Sequence, residues 1–344
     1  MLSRVAESIY WMSRYIERAE NVARFVDVNL HLMLDLPVGI QTQWNPLVAT
    51  TGDDEVFAEQ YGEASQETVI RFLTFDKKNP NSIISCLRAA RENARSIREN
   101  ISSEMWEQLN VAYLTVTEAT EEWAMTEPHE FFGEIKRASQ LFMGLTDNSM
   151  SHSEGWHFCR LGRLIERADK TSRIVDVKYF ILLPSLWHVD TPFDDIQWGA
   201  LLHSASAFEM YRRTHGLIAP TQVVAFLLLD REFPRSVLYC LSKAEESLHA
   251  ISGTPLETFS NSAEQRLGQL RSEFAYAQVK QLLSTGLHEF LDAFQTKLNL
   301  VGADVHETFF ALRPVDEGGT ENEQLQKFPR TQRMARDRPP SLLR

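Results

Sequence analysis

The chain has 344 residues, of which 43% are hydrophobic and 24% charged, and a formal net charge of -12. That length can bury a substantial core, as one large domain or two fused halves, and the ordinary composition excludes global disorder. The acidic balance excludes a general nucleic-acid binder, whose affinity comes from clustered Lys and Arg neutralising phosphates.

Ser3 is placed to cap a first helix, in which Met12, Tyr15, Ile16, Ala19, Val22, Ala23, Val26 and Leu30 fall on one side at about 100° per residue. The opposite side carries Tyr10, Arg14, Glu17, Arg18, Asn21 and Arg24, and Pro37 with Gly39 ends the helix. The N-terminal stretch acquires charge at Arg4 and Glu7 and lacks an uninterrupted apolar segment, so it does not read as a secretory signal.

From Gln41 to Lys78 the pattern weakens around one helix, Glu67 to Phe75, and reads as a linker or lid. Ser82 introduces a helix through about Asn100, and Ser102 or Ser103 caps another carrying Met105, Trp106, Leu109, Tyr113 and Val116. Pro128 opens a helix that runs to a break at Ser151 to Gly155.

The helix that follows, up to Pro184, repeats the first. Aligned without gaps, the copies share Arg14/Arg163, Ile16/Ile165, Glu17/Glu166, Arg18/Arg167, Ala19/Ala168, Arg24/Arg173, Val26/Val175, Asp27/Asp176 and Val28/Val177. A helix from Asp194 to His215 stops at Gly216, and the apolar run Pro220 to Leu229 reads as a buried helix because no strand elsewhere offers it a partner. A helix begins around Phe233 to Val237 and runs through His249. Two long segments follow, about Leu256 to Ala277 and Gln278 to Leu298, then a short one from Ala303 to Leu312.

The expected fold is therefore all-α, a multi-helix bundle of about ten helices with an internal duplication of the Glu-Arg helix. Its halves are 1–150 and 151–312, followed by a disordered basic tail at 313–344 that contains Arg330, Arg333, Arg336, Arg338 and Arg344. Cys86, Cys159 and Cys240 sit in helical apolar patterns and read as buried thiols. Apolar runs such as Val223 to Leu229 are too short to span a membrane, and a reducing, bacterial-type cytoplasm is the expected compartment.

The candidate polar site is Arg14, Glu17, Arg18, Asn21 and Arg24 with Arg163, Glu166, Arg167 and Arg173. Three readings stand: a solvated face of (i, i+4) pairs, a buried seam between the two copies, or an anion-binding or acid-base cleft. The use of Arg, twice and at matching positions, suits bidentate grip on carboxylates or phosphates. A weaker constellation is Glu-x-x-His at Glu154/His157 and Glu246/His249, which in ferritin-like bundles contributes to a di-metal site. No nucleophile elbow, Cys-x-x-Cys, phosphate loop or cofactor motif is found, so no cofactor is expected and stand-alone catalysis is disfavoured.

Four stretches together resemble the bacterial alpha-E proteins, all-helical domains named for their Glu-Arg motif. They are LSRVAESIYWMSRYIERAENVAR, ARENARSIRENISSEMWEQLN, FCRLGRLIERADKTSRIVDVKYFILLP and FLLLDREFPRSVLYCL. The likeness covers Met1 to about Leu312. It implies a companion of a circularly permuted ATP-grasp ligase and a transglutaminase-like cysteine peptidase, sometimes with a proteasome-like hydrolase, and in some members fusion to the ligase. The pathway implied makes or processes an amide-linked peptide, with the helical protein as partner or presenter of the peptide. The resemblance assigns no catalytic role to the Glu-Arg pair.

Overall fold

A computed structural model describes residues 1–34, 44–181 and 192–311 of the chain. The basic tail, Pro37, Gly39 and Pro184 lie outside the described residues. Those described form an all-α bundle of sixteen α-helical segments, without a strand among them.

The first element is α1 (Ser3–Leu34), a helix of 32 residues. Three short helices follow, α2 (Asn45–Thr51), α3 (Asp54–Tyr61) and α4 (Gln66–Ile70), the last continuing as a π-helical turn over Arg71–Phe75. Then come α5 (Ile83–Ser96), α6 (Ser103–Glu118), α7 (Glu121–Thr126) and α8 (Pro128–Ser149). The chain continues through α9 (Glu154–Ile181), α10 (Pro192–Ser204), α11 (Phe208–His215), α12 (Pro220–Leu229) and α13 (Val237–Ser252). The described residues close with α14 (Ser262–Ala275), α15 (Val279–Thr285) and α16 (Leu287–Val305), the last running into a π-helical turn at His306–Phe310.

The helix starts follow side-chain capping. Ser82, Ser102, Ser236 and Asn261 each accept a hydrogen bond from the backbone N–H three residues on, satisfying one of the amides that a helix leaves unpaired at its first turn.

The segment count exceeds the expectation of about ten for local reasons. Gly52, in the left-handed region at φ 78°, ends α2 and lets the chain turn into α3. Helices α2 and α3 bury Leu47, Val48 and Phe57, so the stretch read as a linker or lid is part of the core. Asp194 to His215 is two helices because the chain breaks at Ser206, a non-glycine residue at φ 51°. Gly286, at φ 111°, similarly divides α15 from α16, and the segment expected at Ala303 to Leu312 is the end of α16 and its π-helical turn.

Residues Met1–Ala311 form one compact unit, in which α1 and α9 have similar surroundings. Helix α1 is flanked by α5 and α8, with α6 lying across both, while α9 is flanked by α13 and α16, with α14 in the corresponding place. Helices α1 and α9 then pack on each other in the same direction: Met1 meets Glu154, Ser13 meets Cys159 and Glu17 meets Arg167. They come close at Gly162, where a Cβ would lie 2.5 Å from the Tyr10 carbonyl oxygen. With neighbours on several sides, α1 buries its apolar stripe (Ile9, Met12, Ile16, Ala19, Val22, Val26) and most of its opposite polar stripe (Tyr10, Glu17, Asn21, Arg24), leaving Arg14 and Arg18 partly exposed. All three cysteines are free and buried. No helix among the described residues is long and apolar enough to cross a membrane.

Candidate functional site: the Glu-Arg seam

The contact between α1 and α9 brings the two Glu-Arg copies face to face. Arg167 donates from Nε and Nη2 to the two oxygens of Glu17 at 2.9 and 2.8 Å. Reciprocally, Arg18 donates from Nε and Nη2 to the two oxygens of Glu166 at 2.6 and 3.0 Å. Each Arg therefore grips the Glu of the other copy in the fork-to-fork geometry that guanidinium and carboxylate favour. Both carboxylates are fully buried, at 0% exposure.

Inner partners complete the seam. Arg14 donates from Nε to Glu166 at 2.9 Å while its guanidinium stacks over Trp11. Lys170 approaches Glu166 at 3.8 Å. Asn21 donates to Glu17, and at the end of each motif an (i, i+4) pair forms within its own helix, Arg24 with Glu20 and Arg173 with Asp169. Arg163 does not close the pattern: it is half-buried, and its Nε has no hydrogen-bond partner among the described residues.

The place corresponding to that missing contact is taken by Arg235, which sequence reasoning did not select. It lies just before α13 and donates to Glu17 at 3.1 Å, to the Asn21 side-chain oxygen at 3.1 Å and to Glu20 at 2.5 Å. Ser139 on α8 donates to the other Glu20 oxygen at 2.7 Å.

A signal for Arg235 was present in a second repeat. Phe72-Leu73, Asp76, Pro80, Ser82 and Cys86-Leu87 recur in the same spacing as Phe226-Leu227, Asp230, Pro234, Ser236 and Cys240-Leu241. Both turns are built alike. Each Ser hydroxyl caps the following helix and donates to the Asp carbonyl, and each Cys thiol points at the Pro carbonyl. In this register Asn81 stands where Arg235 does, and Asn81 accepts from Arg18 at 2.8 Å while donating to Asp53.

Electrostatics follows from the geometry. Burial alone pushes the Glu17 carboxyl up, but Arg167 and Arg235 outweigh it and hold it well below the usual carboxylate range. Burial acts likewise on Glu166 and is outweighed by Arg18, Arg14 and Lys170. Arg18 and Arg167 rise above the ordinary guanidinium value, because their Glu partners outweigh burial. Arg235 falls, through burial and then the neighbouring Arg167, with Glu20 and Glu17 opposing.

A carboxylate held ionised, saturated with donors and closed to solvent is a poor proton carrier near neutrality. What the seam does is fix register. Sliding α1 by a turn against α9 would leave buried charges unpaired, at a cost of roughly 3–5 kcal/mol for each broken pair.

The Glu-x-x-His residues do not converge into a cluster of metal-ligating atoms among the described residues. Glu154 is engaged by the N-terminal ammonium of Met1, and Glu246 by Lys243 and Arg160. His249 pairs through Nδ1 with the Thr254 carbonyl, and burial lowers the His157 pKa.

A family model described as a predicted alpha-helical domain with a conserved ER motif matches residues 1–310. The chain belongs to the Alpha-E family. In this Alpha-E chain the two ER dipeptides are Glu17-Arg18 and Glu166-Arg167, the pairs that exchange partners across the seam. It is 23% identical over 270 residues to an uncharacterized protein of Mycobacterium bovis and to uncharacterized proteins of two Mycobacterium tuberculosis strains. The match covers 73% of this chain and 30% of each relative, so the chain spans less than a third of the length of the curated relatives it matches. No solved structure matches it.

Proposed function

We propose that this Alpha-E chain is a non-catalytic helical partner, or substrate-presenting subunit, of an ATP-grasp peptide or amide ligase system that includes a transglutaminase-like peptidase, acting in the cytoplasm. The observation that carries the non-catalytic part is the closure of the Glu-Arg seam: its carboxylates are spent on four Arg side chains, leaving no carboxylate free to act as base. The ligase and peptidase partners come from the family resemblance. The length of the mycobacterial relatives, 70% of which lies outside the matched segment, is in keeping with an Alpha-E unit that works beside other domains. The test is to copurify the chain with a circularly permuted ATP-grasp ligase and to assay ligation with and without it. Association with a changed ligation rate is expected; no association and an unchanged ligase would overturn the reading.

A second reading, anion recognition at the seam, is favoured by one observation: cations outnumber carboxylates there, and Arg163 Nε is unpartnered among the described residues. It requires an acidic peptide or phosphorylated ligand to reach Arg163. Arg163→Ala should then weaken ligand binding without altering helicity, and unchanged binding would remove this reading.

A further inference from the structure

Beyond the seam, α1 carries a second polar group that the Glu-Arg motif does not use. Asp27 is nearly buried. His129, the second residue of α8, donates from Nδ1 to its Oδ1 at 2.7 Å, and the Lys136 ammonium contacts its Oδ2. His31, one turn further along α1, directs its own Nδ1 at the Asp27 carbonyl oxygen, 2.9 Å away. The two imidazoles lie almost in contact, with ring centroids 3.6 Å apart.

Tautomers follow from these partners. A carbonyl oxygen and a carboxylate only accept, so both histidines carry their proton on Nδ1 when neutral, and both lone pairs sit on Nε2. Neither Nε2 has a hydrogen-bond partner among the described residues. Each ring is therefore free to carry its proton on Nε2 instead, which offers the Nδ1 lone pair to an ion held beside the Asp27 carboxylate. Asp27 and His31 line a cleft of about 710 Å³ between α1, α8, α10 and α11. Its cations Arg24 and Lys136 are already paired with Glu20 and Asp27, and its wall includes Asp195 and Glu209.

The second half supplies an internal control. Asp176, the equivalent of Asp27, pairs with His288 at the start of α16 at 2.7 Å, just as Asp27 pairs with His129. The position equivalent to His31 is Phe180. Joining the long helix to its neighbour thus takes one histidine, and the second histidine in the first half is an addition that packing between α1 and α8 does not require.

We propose that Asp27, His31 and His129 form a site for a borderline first-row divalent cation, with Zn²⁺ as the type ion. Ligand atoms of the three residues lie within 4.8 Å of one another. Tetrahedral zinc with bonds of about 2.0–2.1 Å needs them roughly 3.4 Å apart, a closure within reach of rotation of the two exposed imidazoles. Two imidazoles and one carboxylate are a three-ligand set of the kind that leaves a fourth position open. Lys136 supplies in the metal-free protein the positive charge that the ion brings.

The test uses the full, tag-free chain, stripped with chelator and titrated with Zn²⁺ against a fluorescent competitor, and with Co²⁺ followed by its visible absorption. One equivalent bound at micromolar or tighter dissociation constant is expected. His31→Ala and His129→Ala should each weaken binding about tenfold or more, while His288→Ala leaves it unchanged. Lys136→Met, which frees a carboxylate oxygen, should tighten it. Should His129→Ala lose helicity, the exposed His31 alone decides. Binding that is unaltered in His31→Ala, or wild-type binding weaker than about 100 μM, overturns the site.

Discussion

Glu17 and Arg167, 150 residues apart in sequence, form a closed bidentate pair at 2.9 and 2.8 Å, and the same exchange runs in reverse between Glu166 and Arg18. Each ER motif is thereby completed only by the other. The pairs sit where burial makes a lone charge expensive, so their value lies in specifying how α1 meets α9 more than in net stability.

Glu17→Gln should therefore destabilise the fold by about 3–5 kcal/mol, because Arg167 and Arg235 are left buried without their shared anion. The double variant Glu17→Gln with Arg167→Met should recover part of that loss. Urea unfolding of the four proteins of the cycle measures the coupling; additive losses would show that the pair does not act as a unit.

Acid should act through the same residues. The Glu17 and Glu166 pKa values are depressed by their arginines, so their contribution is present above the unfolded-state value of about 4.3 and is lost as pH falls through the folded value. Stability measured by denaturant titration should hold from neutrality to about pH 5 and then fall steeply. In Glu17→Gln that acid-dependent slope should be shallower.

Helix approach can be probed at Gly162. Adding a Cβ there places it 2.5 Å from the Tyr10 carbonyl, so Gly162→Ala must push α1 off α9 and should cost about 2 kcal/mol or more. Gly144→Ala, on α8 with nothing within 4 Å of the added atom, should be neutral or stabilising by up to about 1 kcal/mol. Thermal melts of the two variants make the comparison.

The paired turns predict a matched effect. Ser82→Ala and Ser236→Ala each remove a helix cap and a hydrogen bond to an Asp carbonyl, and each should cost about 1–2 kcal/mol. Ser102→Ala removes a cap whose hydroxyl otherwise meets only Ser149, and should cost about 1 kcal/mol or less.

Thiol chemistry reports on the same turns. Burial pushes Cys86 and Cys240 up to about 12, so at pH 8 hardly any of either thiol is the reactive thiolate. Ellman's reagent should label them slowly in the native protein and rapidly in urea. Rapid native labelling would mean that these turns open far more readily than their packing implies.

The sequence by itself determined the all-α class, because the apolar period of α1 and α9 is helical and Ser82, Ser102 and Pro128 mark starts that hold in three dimensions. It also exposed the two Glu-Arg copies, since identical residues in register need no tertiary information to be seen. It could not decide whether Arg14, Glu17 and Arg18 faced water or protein, because a helix period places residues on faces without saying what covers each face. Only tertiary packing decided that Glu17 and its neighbours on the polar face of α1 are covered as the apolar face is, that Arg235 replaces Arg163 beside Glu17, and that His31 and His129 meet around Asp27. The physical reason is range: capping and periodicity act within a few residues, whereas these contacts join positions about a hundred or more residues apart, whose proximity exists only once the helices have packed.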